Sequence, residues 1–533
     1  MLANAPDVDG YTRTNRPLRE ERSKGDVADA ESAGLPVRRA GLEQEFFLVD
    51  RGGTLSDLAD PFLRRCRDAA QTEGLHPRCF KAECAKGLVE IATPPSSRLA
   101  DLIEDYLDSL GLALRVASDL GLALYPLGTY PLPINSVLRD DPGYRVKASV
   151  LGSNRFSHAG RCAGTHLHLE VPVGTVWPDV KAALDAPLAA QRELLGLYNL
   201  ANALDPALVA LTRACPFYEG DVDGFAARTV HSRDILGLEG VYAGLREVGG
   251  LSAYASRVED LVDQQRARYR AWFSAMDLAG VERRLFAQAG GNLHRASWNP
   301  VRVSHHGTVE IRTMDANFPE MVLAVCALIR GAAERVRLES LEVRPSRGVH
   351  ALEPDGNLLH VPNFSYLNGE LLSAAVTRGV QDQSVEAYLD SIVKFASPYL
   401  ERLELVEPLV SSGGYKTTEA EVLESFPTPK VSLTREEGLS LVREACLRLK
   451  EQVSSLGQRY GATLPGDERS RKAARVIHIR NSPTIPAEGA SPASVHEAQA
   501  SARAVNEGKR MRSPTLSSAL DIRTKSEQKE DTP

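Results

Sequence analysis

Two carboxylates separated by a single residue stand in an apolar stretch near the start of the chain. The stretch reads Arg39-Ala-Gly-Leu-Glu-Gln-Glu-Phe-Phe-Leu-Val49, and the carboxylates are Glu43 and Glu45. Its apolar and aromatic residues predict a strand, so both carboxylates share one face about 7 Å apart. Burying unpaired carboxylates is costly, and a divalent metal between them is the simplest remedy. A solvated strand face is the alternative.

Three later segments repeat this alternation of ionisable and aliphatic residues. The ionisable groups are His166, His168 and Glu170 in the first segment, Glu310 and Arg312 in the second, and Glu90 in the third. Four such segments predict an antiparallel sheet with one face on a helical core and the other face wet. A wet face of Glu, His and Arg is more typical of a polynuclear oxygen-and-imidazole metal site than of a solvated surface.

Composition narrows the class of protein. The 533 residues are 43% hydrophobic and 25% charged, as in an ordinary globular protein, and the net charge of −7 argues against a nucleic-acid partner. No uncharged apolar stretch of about 18 residues and no signal-peptide core is found, so no membrane partner is expected. Seven cysteines without a CxxC pair predict a reduced, cytoplasmic protein. The absence of a G-x-x-x-x-G-K-[ST] loop argues against a P-loop ATPase.

The chain divides into three parts by composition. Residues 1–37 are polar and aperiodic and predict a disordered arm, and residues 463–533 predict a disordered tail. Residues 38–462 form the predicted catalytic domain, with a helix-rich second half from about 341. Helical periodicity is found at 101–120, 188–204, 255–290 and 318–338. Strands mixed with such helices predict an α+β fold, an antiparallel sheet with a charged face and helices packed on the other.

Taken together, these motifs resemble the glutamate–cysteine ligase family of the second type, over roughly residues 38–340. The motifs are Gly41-Leu-Glu-Gln-Glu45, Glu83 through Glu90 into Thr93-Pro-Pro95, Gly164-Thr-His-Leu-His168, Cys215-Pro-Phe-Tyr-Glu-Gly220 and Val309-Glu-Ile-Arg-Thr-Met-Asp315. The resemblance implies a glutamine-synthetase-like catalytic sheet and an ATP- and Mg²⁺-dependent ligase. Such a ligase converts the γ-carboxylate of glutamate into an acyl phosphate and joins it to the amine of cysteine, which gives γ-glutamylcysteine for glutathione biosynthesis.

The resemblance also implies roles for the ionisable residues. One Mg²⁺ would be held by Glu43, His166 and Glu310, and a second by Glu45, Glu83 and Glu90. A histidine ligand alone would favour manganese or zinc, whereas the resemblance favours magnesium. His168 would contact an ATP phosphate. Arg312, Glu310 and Glu90 form the catalytic group, in which Arg312 stabilises the transferring phosphoryl; a structural ion pair with Glu310 is the alternative for that arginine.

The glutamate substrate needs a cation for its α-carboxylate. Arg228 is the candidate, although it falls one residue early against the family pattern, which leaves His231 and Arg233 as alternatives. Arg145 and Lys147 could lie on a substrate loop, and a solvated charged loop is the alternative.

A second candidate loop follows Gly290 and Gly291, and it is either a nucleotide or acceptor loop or a simple turn. Its residues are Asn292, His294 and Trp298. Three other functions stay open: a carboxylate–amine ligase with a different amine acceptor, a two-metal hydrolase, and a binding protein that kept the sheet. The sequence does not reveal the acceptor or the oligomeric state.

Overall fold

A seven-stranded antiparallel sheet carries the residues singled out above. The computed structural model describes residues 37–176, 180–411 and 414–461. The strands are β1 (Ala40–Asp50), β2 (Phe80–Ala82), β3 (Leu88–Ala92), β4 (Leu122–Tyr125), β5 (Gly164–Glu170), β6 (Val301–Val303) and β7 (Thr308–Asp315). Their order is β2-β3-β1-β5-β7-β6, and the long β1 also pairs with β4 through its last four residues.

The register of the sheet brings ionisable residues of neighbouring strands directly opposite one another. The cross-strand pairs are Glu43–His166, Glu45–Glu90, His168–Glu310, Lys81–Glu90 and Arg302–Glu310. The register of β5 against β7 shifts between Thr165 and Leu167, so His166 lies at a bulge. Bulges re-aim a side chain, and this one lies in the middle of the charged face.

The opposite face of the sheet is apolar and packs on helices. Its buried members include Leu42, Phe46, Ile91, Leu167 and Ile311. Gln44 is the polar exception on this face. Its side-chain oxygen accepts a hydrogen bond of 2.5 Å from Tyr106, and its nitrogen donates to the backbone oxygen of Asn317 at 2.6 Å. Both polar ends of the buried amide are therefore satisfied.

The described part of the chain also forms seven longer helices. They are α1 (Ala59–Glu73), α2 (Leu99–Asp119), α3 (Leu188–Leu211), α4 (Val258–Leu278), α5 (Pro319–Leu338), α6 (Gln383–Ala396) and α7 (Arg435–Gly461). Shorter helices span Pro142–Leu151, Ser153–Ser157, Ala227–Ser232, Arg246–Gly249, Arg283–Gln288, Phe364–Tyr366, Leu372–Thr377 and Thr418–Glu424. Buried residues of α2, α3 and α5 belong to the same core as the apolar face of the sheet. The predicted α+β class, with helices on the uncharged face, is confirmed.

Helix α3 runs further than the periodicity predicted. It continues to Leu211 through Pro206, where the sequence suggested an end at 204. By length and composition this helix could cross a membrane, but 94% of its apolar window is buried inside the protein. A buried position of this kind is typical of a core helix.

The part of the chain after residue 341 contains strands as well as the predicted helices. β8 (Glu342–Ser346), β9 (Glu353–Asp355) and β10 (Leu358–Pro362) form a small sheet, and β11 (Val410–Ser411) pairs with β12 (Gly414–Tyr415). The predicted arm, apart from residue 37, and the predicted tail at 463–533 lie outside the described residues. The domain boundaries therefore stay predictions.

Candidate active site

Two histidine rings lie among the carboxylates of the charged face. Nδ1 of His166 is 3.5 Å from Oε2 of Glu43, and its Nε2 is 3.8 Å from Oε1 of Glu45. Nε2 of His168 lies 3.3 Å from Oε2 of Glu43 and 4.0 Å from Oε1 of Glu310. His166 thus faces one carboxylate with each ring nitrogen, in the middle of the sheet.

Two overlapping groups of residues on this face could each hold a metal ion. One is Glu43, His166 and Glu310, and the other is Glu45, Glu90 and His166, with ligand atoms within 4.8 Å of one another in each group. The first group is the set predicted for one ion. In the second, His166 takes the place predicted for Glu83.

Glu83 nevertheless belongs to the same cluster. Its carboxyl group acts electrostatically on those of Glu45 and Glu90. The backbone N–H of Cys84 donates to its Oε2 at 3.3 Å. Glu83 is therefore placed beside the second group, within reach of a ligand held there.

Three of the carboxyl groups lack enough positive charge around them. Burial, together with Glu90, raises the pKa of Glu45 to about 7, and burial with Glu45 raises the pKa of Glu83 to about 7. Burial and the neighbouring Glu43 raise the pKa of Glu90 to about 8. Buried carboxyls that repel one another in this way are the environment that a bound cation would relieve.

Glu43 and Glu310 are in the opposite situation. Burial by itself would raise the pKa of Glu43, but Lys81 and His168 hold that pKa well below its usual range. Burial likewise opposes ionisation of Glu310, which is only 1% exposed, yet Arg302 and Arg312 keep its pKa low. These two carboxylates are ionised and oriented before any ligand binds.

The two histidines differ in charge. Burial and the nearby Arg312 lower the pKa of His166 to about 3, so its ring is neutral near pH 7. Its buried Nε2 has no hydrogen-bond partner among the described residues. Burial would also lower the pKa of His168, but Glu43 and Glu310 raise it overall. A neutral ring with an unpartnered nitrogen suits a metal ligand, and a protonated ring suits an anion.

The residues fit a divalent cation on three grounds. The face carries several buried carboxylates and a neutral imidazole. Few protein cations lie near Glu45, Glu83 and Glu90. Oxygen donors predominate over the single nitrogen, which is the donor set of Mg²⁺ or Mn²⁺. The metal site predicted from the sequence is thus geometrically feasible.

Lys81, Arg302 and Arg312 form ion pairs with the carboxylates of the charged face, and of these three only Arg312 had a predicted role. Nζ of Lys81 lies 2.6 Å from Oε1 of Glu43 and 2.8 Å from Oε1 of Glu90. Nε of Arg302 donates to Oε2 of Glu310 at 2.7 Å, and Nη2 donates to Oε1 at 3.1 Å. Arg302 stands between Val301 and Val303 on a strand of only three residues, too short for alternation to single it out.

Arg312 makes the ion pair that the sequence left as its alternative role. Its Nη1 donates to Oε1 of Glu310 and lies 3.5 Å from Nδ1 of His166. Its side chain is 24% exposed, whereas that of Glu310 is almost fully enclosed. Because Arg302 also binds Glu310, Arg312 can turn to another anion without leaving that carboxylate unpaired.

The three candidates for the substrate carboxylate have different surroundings. Arg228 donates to the backbone oxygens of Thr313 at 3.2 Å and Arg312 at 3.1 Å, which leaves other N–H groups of its guanidinium free of these bonds. Arg233 is buried in a two-bond ion pair with Asp205, with both distances 2.8 Å. This pair satisfies Arg233 within the core, so it is a poor candidate.

His231, the other alternative, is held in a stack of rings. Its ring lies 3.9 Å from that of Tyr218 and 5.2 Å from that of His158, and its Nε2 is 3.4 Å from Asp223. Arg228 therefore remains the best-placed candidate of the three.

Gly164 allows Arg228 to approach the sheet. A Cβ on Gly164 would lie 2.2 Å from Nη2 of Arg228, a distance that no side chain tolerates. The backbone N–H of the same glycine donates to Oε2 of Glu45 at 2.6 Å. Arg228 and Glu45 are thus held next to each other at the start of β5, where Arg228 lowers the cost of ionising Glu45.

Arg145 and Lys147 lie on the helix Pro142–Leu151 rather than on a loop. The Arg145 side chain is 59% exposed and is paired with Asp140. In the described part of the chain it has no contact with the charged face, so nothing in the structure supports its predicted substrate role. Lys147 instead lies over the ring of Trp298, with Nζ 4.6 Å from the ring centre. Two residues apart on a helix, the two cations point to different sides.

Part of the loop after Gly291 forms the predicted turn. The side-chain oxygen of Asn292 accepts hydrogen bonds from the backbone N–H groups of His294 at 3.0 Å and Arg295 at 3.1 Å. Trp298, four residues beyond His294, leaves this turn and packs on Tyr242 with ring centres 5.4 Å apart.

Comparison with known proteins finds a similarity in the first part of the described chain. Residues 39–229 match the profile of glutamate–cysteine ligase family 2. This stretch is similar to that family. It contains Glu43 and Glu45 of β1, the one carboxylate of β3 and both histidines of β5. Glu310 and Arg312 lie beyond it, so their assignment depends on the geometry.

Relatives of this stretch carry a provisional name of the same family. A Pseudomonas aeruginosa protein provisionally named glutamate–cysteine ligase 2 is 28% identical over 201 residues, which are 37% of this chain and 46% of the relative. A Clavibacter sepedonicus protein of the same provisional name is 26% identical over 200 residues, again 37% and 46%. The chain thus spans about half the length of these relatives.

Solved ligase structures also align with the chain. A bifunctional glutathione synthetase from Pasteurella multocida has 15% identity and a TM-score of 0.44, over 79% of this chain and 53% of that one. A glutamate–cysteine ligase from Francisella tularensis in complex with AMP has 12% identity and a TM-score of 0.36, over 83% of this chain and 98% of that one. TM-scores this low support no conclusion about the site.

Proposed function

We propose that this protein is an ATP- and Mg²⁺-dependent glutamate–cysteine ligase that makes γ-glutamylcysteine for glutathione biosynthesis. The observation that carries the proposal is the meeting of two overlapping metal-ligand groups on one sheet face, with two arginines at its border. A ligase of this kind must gather negative charge from a nucleotide and a carboxylate, and neutralise it as phosphate is transferred.

The metal ligands are assigned from the two groups. Glu43, His166 and Glu310 would hold one Mg²⁺, and Glu45 and Glu90 a second, with Glu83 beside it. Bound ions of this kind neutralise phosphate oxygens and orient the nucleotide. His168, whose ring tends to carry a proton, would donate to a phosphate oxygen from the same face.

Arg312 supplies charge where it develops during transfer. As the γ-phosphoryl passes from ATP to an oxygen of the glutamate γ-carboxylate, the guanidinium of Arg312 can donate to two phosphoryl oxygens. The acceptor nitrogen then attacks the acyl carbon, and phosphate leaves with that oxygen. Arg302 keeps Glu310 paired while Arg312 moves to the phosphoryl group.

Arg228 is the proposed partner of the glutamate α-carboxylate. It lies beside Glu45 and Gly164, and two of its N–H groups are used by backbone oxygens. A guanidinium has five donors, so others remain for a carboxylate. All seven cysteines are free thiols, which supports activity in a reducing cytoplasm.

One assay separates the candidate functions. The protein is incubated with ATP, Mg²⁺ and glutamate, amines are added one at a time, and ADP and product mass are followed. ADP release that requires both glutamate and cysteine is the expected result. Dependence on another amine indicates a carboxylate–amine ligase with a different acceptor, and turnover of a phosphoester or amide without ATP indicates a two-metal hydrolase.

Two variants control this assay. Glu310→Gln removes a carboxylate shared by the first metal group and both arginines, and should abolish ADP release. Lys450→Met changes an exposed lysine on α7 and should leave turnover unchanged.

A further inference from the structure

The ring of His168 has one nitrogen bonded to a hydroxyl and the other turned toward carboxylates. Its Nδ1 lies 2.9 Å from Oγ1 of Thr308. Its Nε2 lies 3.3 Å from Oε2 of Glu43 and 4.0 Å from Oε1 of Glu310, and it is buried without a hydrogen-bond partner among the described residues. Buried polar atoms are normally hydrogen-bonded, so an unpartnered one in a candidate site points to a ligand. The ring is thus held at Nδ1 and open to a ligand at Nε2.

Thr308 is itself held by a second hydroxyl. Its Oγ1 lies 2.8 Å from Oγ of Ser304, which is buried, and the backbone N–H of His306 donates to that Oγ at 3.2 Å. We call Ser304 and Thr308 the hydroxyl relay. The backbone N–H of Ser304 also donates to the backbone oxygen of Thr308 at 2.8 Å, which closes the turn between β6 and β7. The relay is therefore fixed by the backbone of the hairpin as well as by its side chains.

Every hydrogen of the relay has an acceptor in one direction. Ser304 accepts from the N–H of His306 and donates to Thr308, and Thr308 donates to Nδ1 of His168. A neutral imidazole that accepts at Nδ1 carries its hydrogen on Nε2. The other neutral tautomer would turn a lone pair of Nε2 toward the carboxylate of Glu43. Hydroxyls can also accept, so a doubly protonated ring keeps the same bond, and Nε2 is a donor in that form too.

The hairpin of β6 and β7 supplies both the relay and part of the charged face. Thr308 of β7 pairs with Glu170 of β5, and Glu310 pairs with His168. Because residues two apart share a face of a strand, Thr308 lies on the same face as Glu310 and diagonally across from His168. The hydroxyl therefore reaches the imidazole from the strand that also carries a predicted metal ligand.

We propose that Thr308 is a positioning residue: its hydroxyl holds the ring of His168 so that Nε2–H donates to a phosphate oxygen of the bound nucleotide. The inference rests on the proposed ligase function and adds a residue that touches neither metal nor nucleotide. Without the hydroxyl, the ring is free to turn about its Cβ–Cγ bond and to adopt the tautomer in which Nε2 has no hydrogen. A phosphate oxygen would then face a lone pair rather than a donor.

Calorimetric titration with the ATP analogue AMP-PNP and Mg²⁺ measures nucleotide binding without turnover. Thr308→Val replaces the hydroxyl by a methyl group and should raise the Kd about three- to tenfold, the range expected for one lost hydrogen bond. Thr308→Ser keeps a hydroxyl and should bring the Kd back to within about twofold of the unaltered protein. Thr72→Val is the same change at an exposed position of α1 and should have no effect. An unchanged Kd for Thr308→Val would overturn the inference.

Turnover with hydroxylamine separates this inference from the proposed function. Hydroxylamine traps the activated glutamate as a hydroxamate. Thr308→Val should raise KM for ATP about three- to tenfold in this reaction and change kcat by less than about twofold, because the lost contact holds the nucleotide before and during transfer. If the unaltered protein forms no hydroxamate with ATP, Mg²⁺ and glutamate, the ligase function is wrong. If hydroxamate forms and Thr308→Val leaves KM for ATP unchanged, only the role of Thr308 is wrong.

A double-mutant cycle shows whether the effect passes through the imidazole. In a His168→Ala background, Thr308→Val should change the Kd for AMP-PNP by less than about twofold, because no ring is left to position. An equal effect in both backgrounds would show that Thr308 acts on the strand or on the metal ligands instead, and would overturn the inference. Circular dichroism checks that each variant is folded.

Nitrogen NMR of protein labelled with ¹⁵N-histidine tests the bond itself, independently of any activity. The signals of His168 are identified by their loss in His168→Ala. Thr308→Val should shift the Nδ1 signal of His168 and leave those of His158 and His231, which lie in a separate stack of rings, in place. Thr308→Ser should keep the Nδ1 signal close to that of the unaltered protein. An Nδ1 signal that Thr308→Val does not move would show that the hydroxyl does not hold the ring.

Discussion

Lys81 and Glu43 form an ion pair of 2.6 Å at the edge of the carboxylate face. The same ammonium lies 2.8 Å from Glu90, so one side-chain cation bridges two strands at the place where metal ligands are proposed. The protein thus carries a built-in counter-charge that stabilises part of the cluster without metal. A metal ion bound there would share those carboxylates with Lys81.

Lys81→Met should weaken the metal-free protein and increase its response to metal. Loss of the bridging cation leaves the carboxylates of Glu43 and Glu90 without this counter-charge. Because Lys81 is 39% exposed, we expect the free energy of unfolding to fall by about 1–3 kcal/mol, less than for a fully buried pair. The Mg²⁺-induced rise in Tm should be larger than in the unaltered protein. Thermal unfolding in EDTA and in Mg²⁺ measures both, with Lys450→Met as control. An unchanged Tm in EDTA would contradict this role.

Glu45→Gln and Glu310→Gln should have opposite effects on the metal-free fold. Glu310 is paired with Arg302 and Arg312, and its loss should cost about 2–4 kcal/mol because two guanidinium groups lose their shared carboxylate. Glu45 is a poorly compensated carboxyl, so at pH 8 its replacement should be neutral or stabilising by about 1 kcal/mol. Urea unfolding in EDTA at pH 8 compares the two, and equal destabilisation would be the contrary result.

Metal-free stability should fall as pH rises from 6.5 to 8. In the folded protein the pKa values of Glu45, Glu83 and Glu90 are about 7, 7 and 8, all above the usual 4.5, so the folded state holds more protons than the unfolded state in this window. His168, whose folded pKa is also raised, acts in the same direction. The lowered pKa values of His166, Glu43 and Glu310 affect stability mainly below this window.

Thermal unfolding in EDTA at the two pH values tests that slope. Mg²⁺ binding near pH 7 should also release protons, which titration calorimetry detects as a dependence of the apparent enthalpy on the buffer. A Tm that rises with pH in EDTA, or binding without proton release, would show that the carboxyls are already ionised in the metal-free protein.

Alternation in the sequence was enough to predict the charged face. Residues two apart share a face of a strand, so Glu43, Glu45, Glu90, His166 and Glu310 could be grouped without coordinates, and the strand register places them together. The α+β class followed from the same alternation combined with helical periodicity.

The counter-charges could not be predicted in the same way. Lys81 and Arg302 lie on strands of only three residues, which are too short to show alternation. The charge state of each carboxyl depends on which cation reaches it, and that depends on cross-strand pairing between distant segments. Lys147 could have been separated from Arg145 by recognising Asp141 as the N-cap of a helix, where its side chain accepts from Gly143 and Tyr144.

Arg312→Lys should lower kcat for hydroxamate formation by about 10²–10³-fold with little change in metal-induced stabilisation. A lysine ammonium cannot donate to two phosphoryl oxygens in the way a guanidinium can, and loss of one such charged donor has effects of this size. Arg302→Lys is the matched control, because Arg302 pairs with the same Glu310 and is assigned no contact with phosphate. Its effect on kcat should be no more than about tenfold, through weaker orientation of Glu310. If Arg302→Lys abolishes kcat while Arg312→Lys keeps it, the two arginines have the reverse roles: Arg302 stabilises the phosphoryl group, and Arg312 serves to orient the carboxylate.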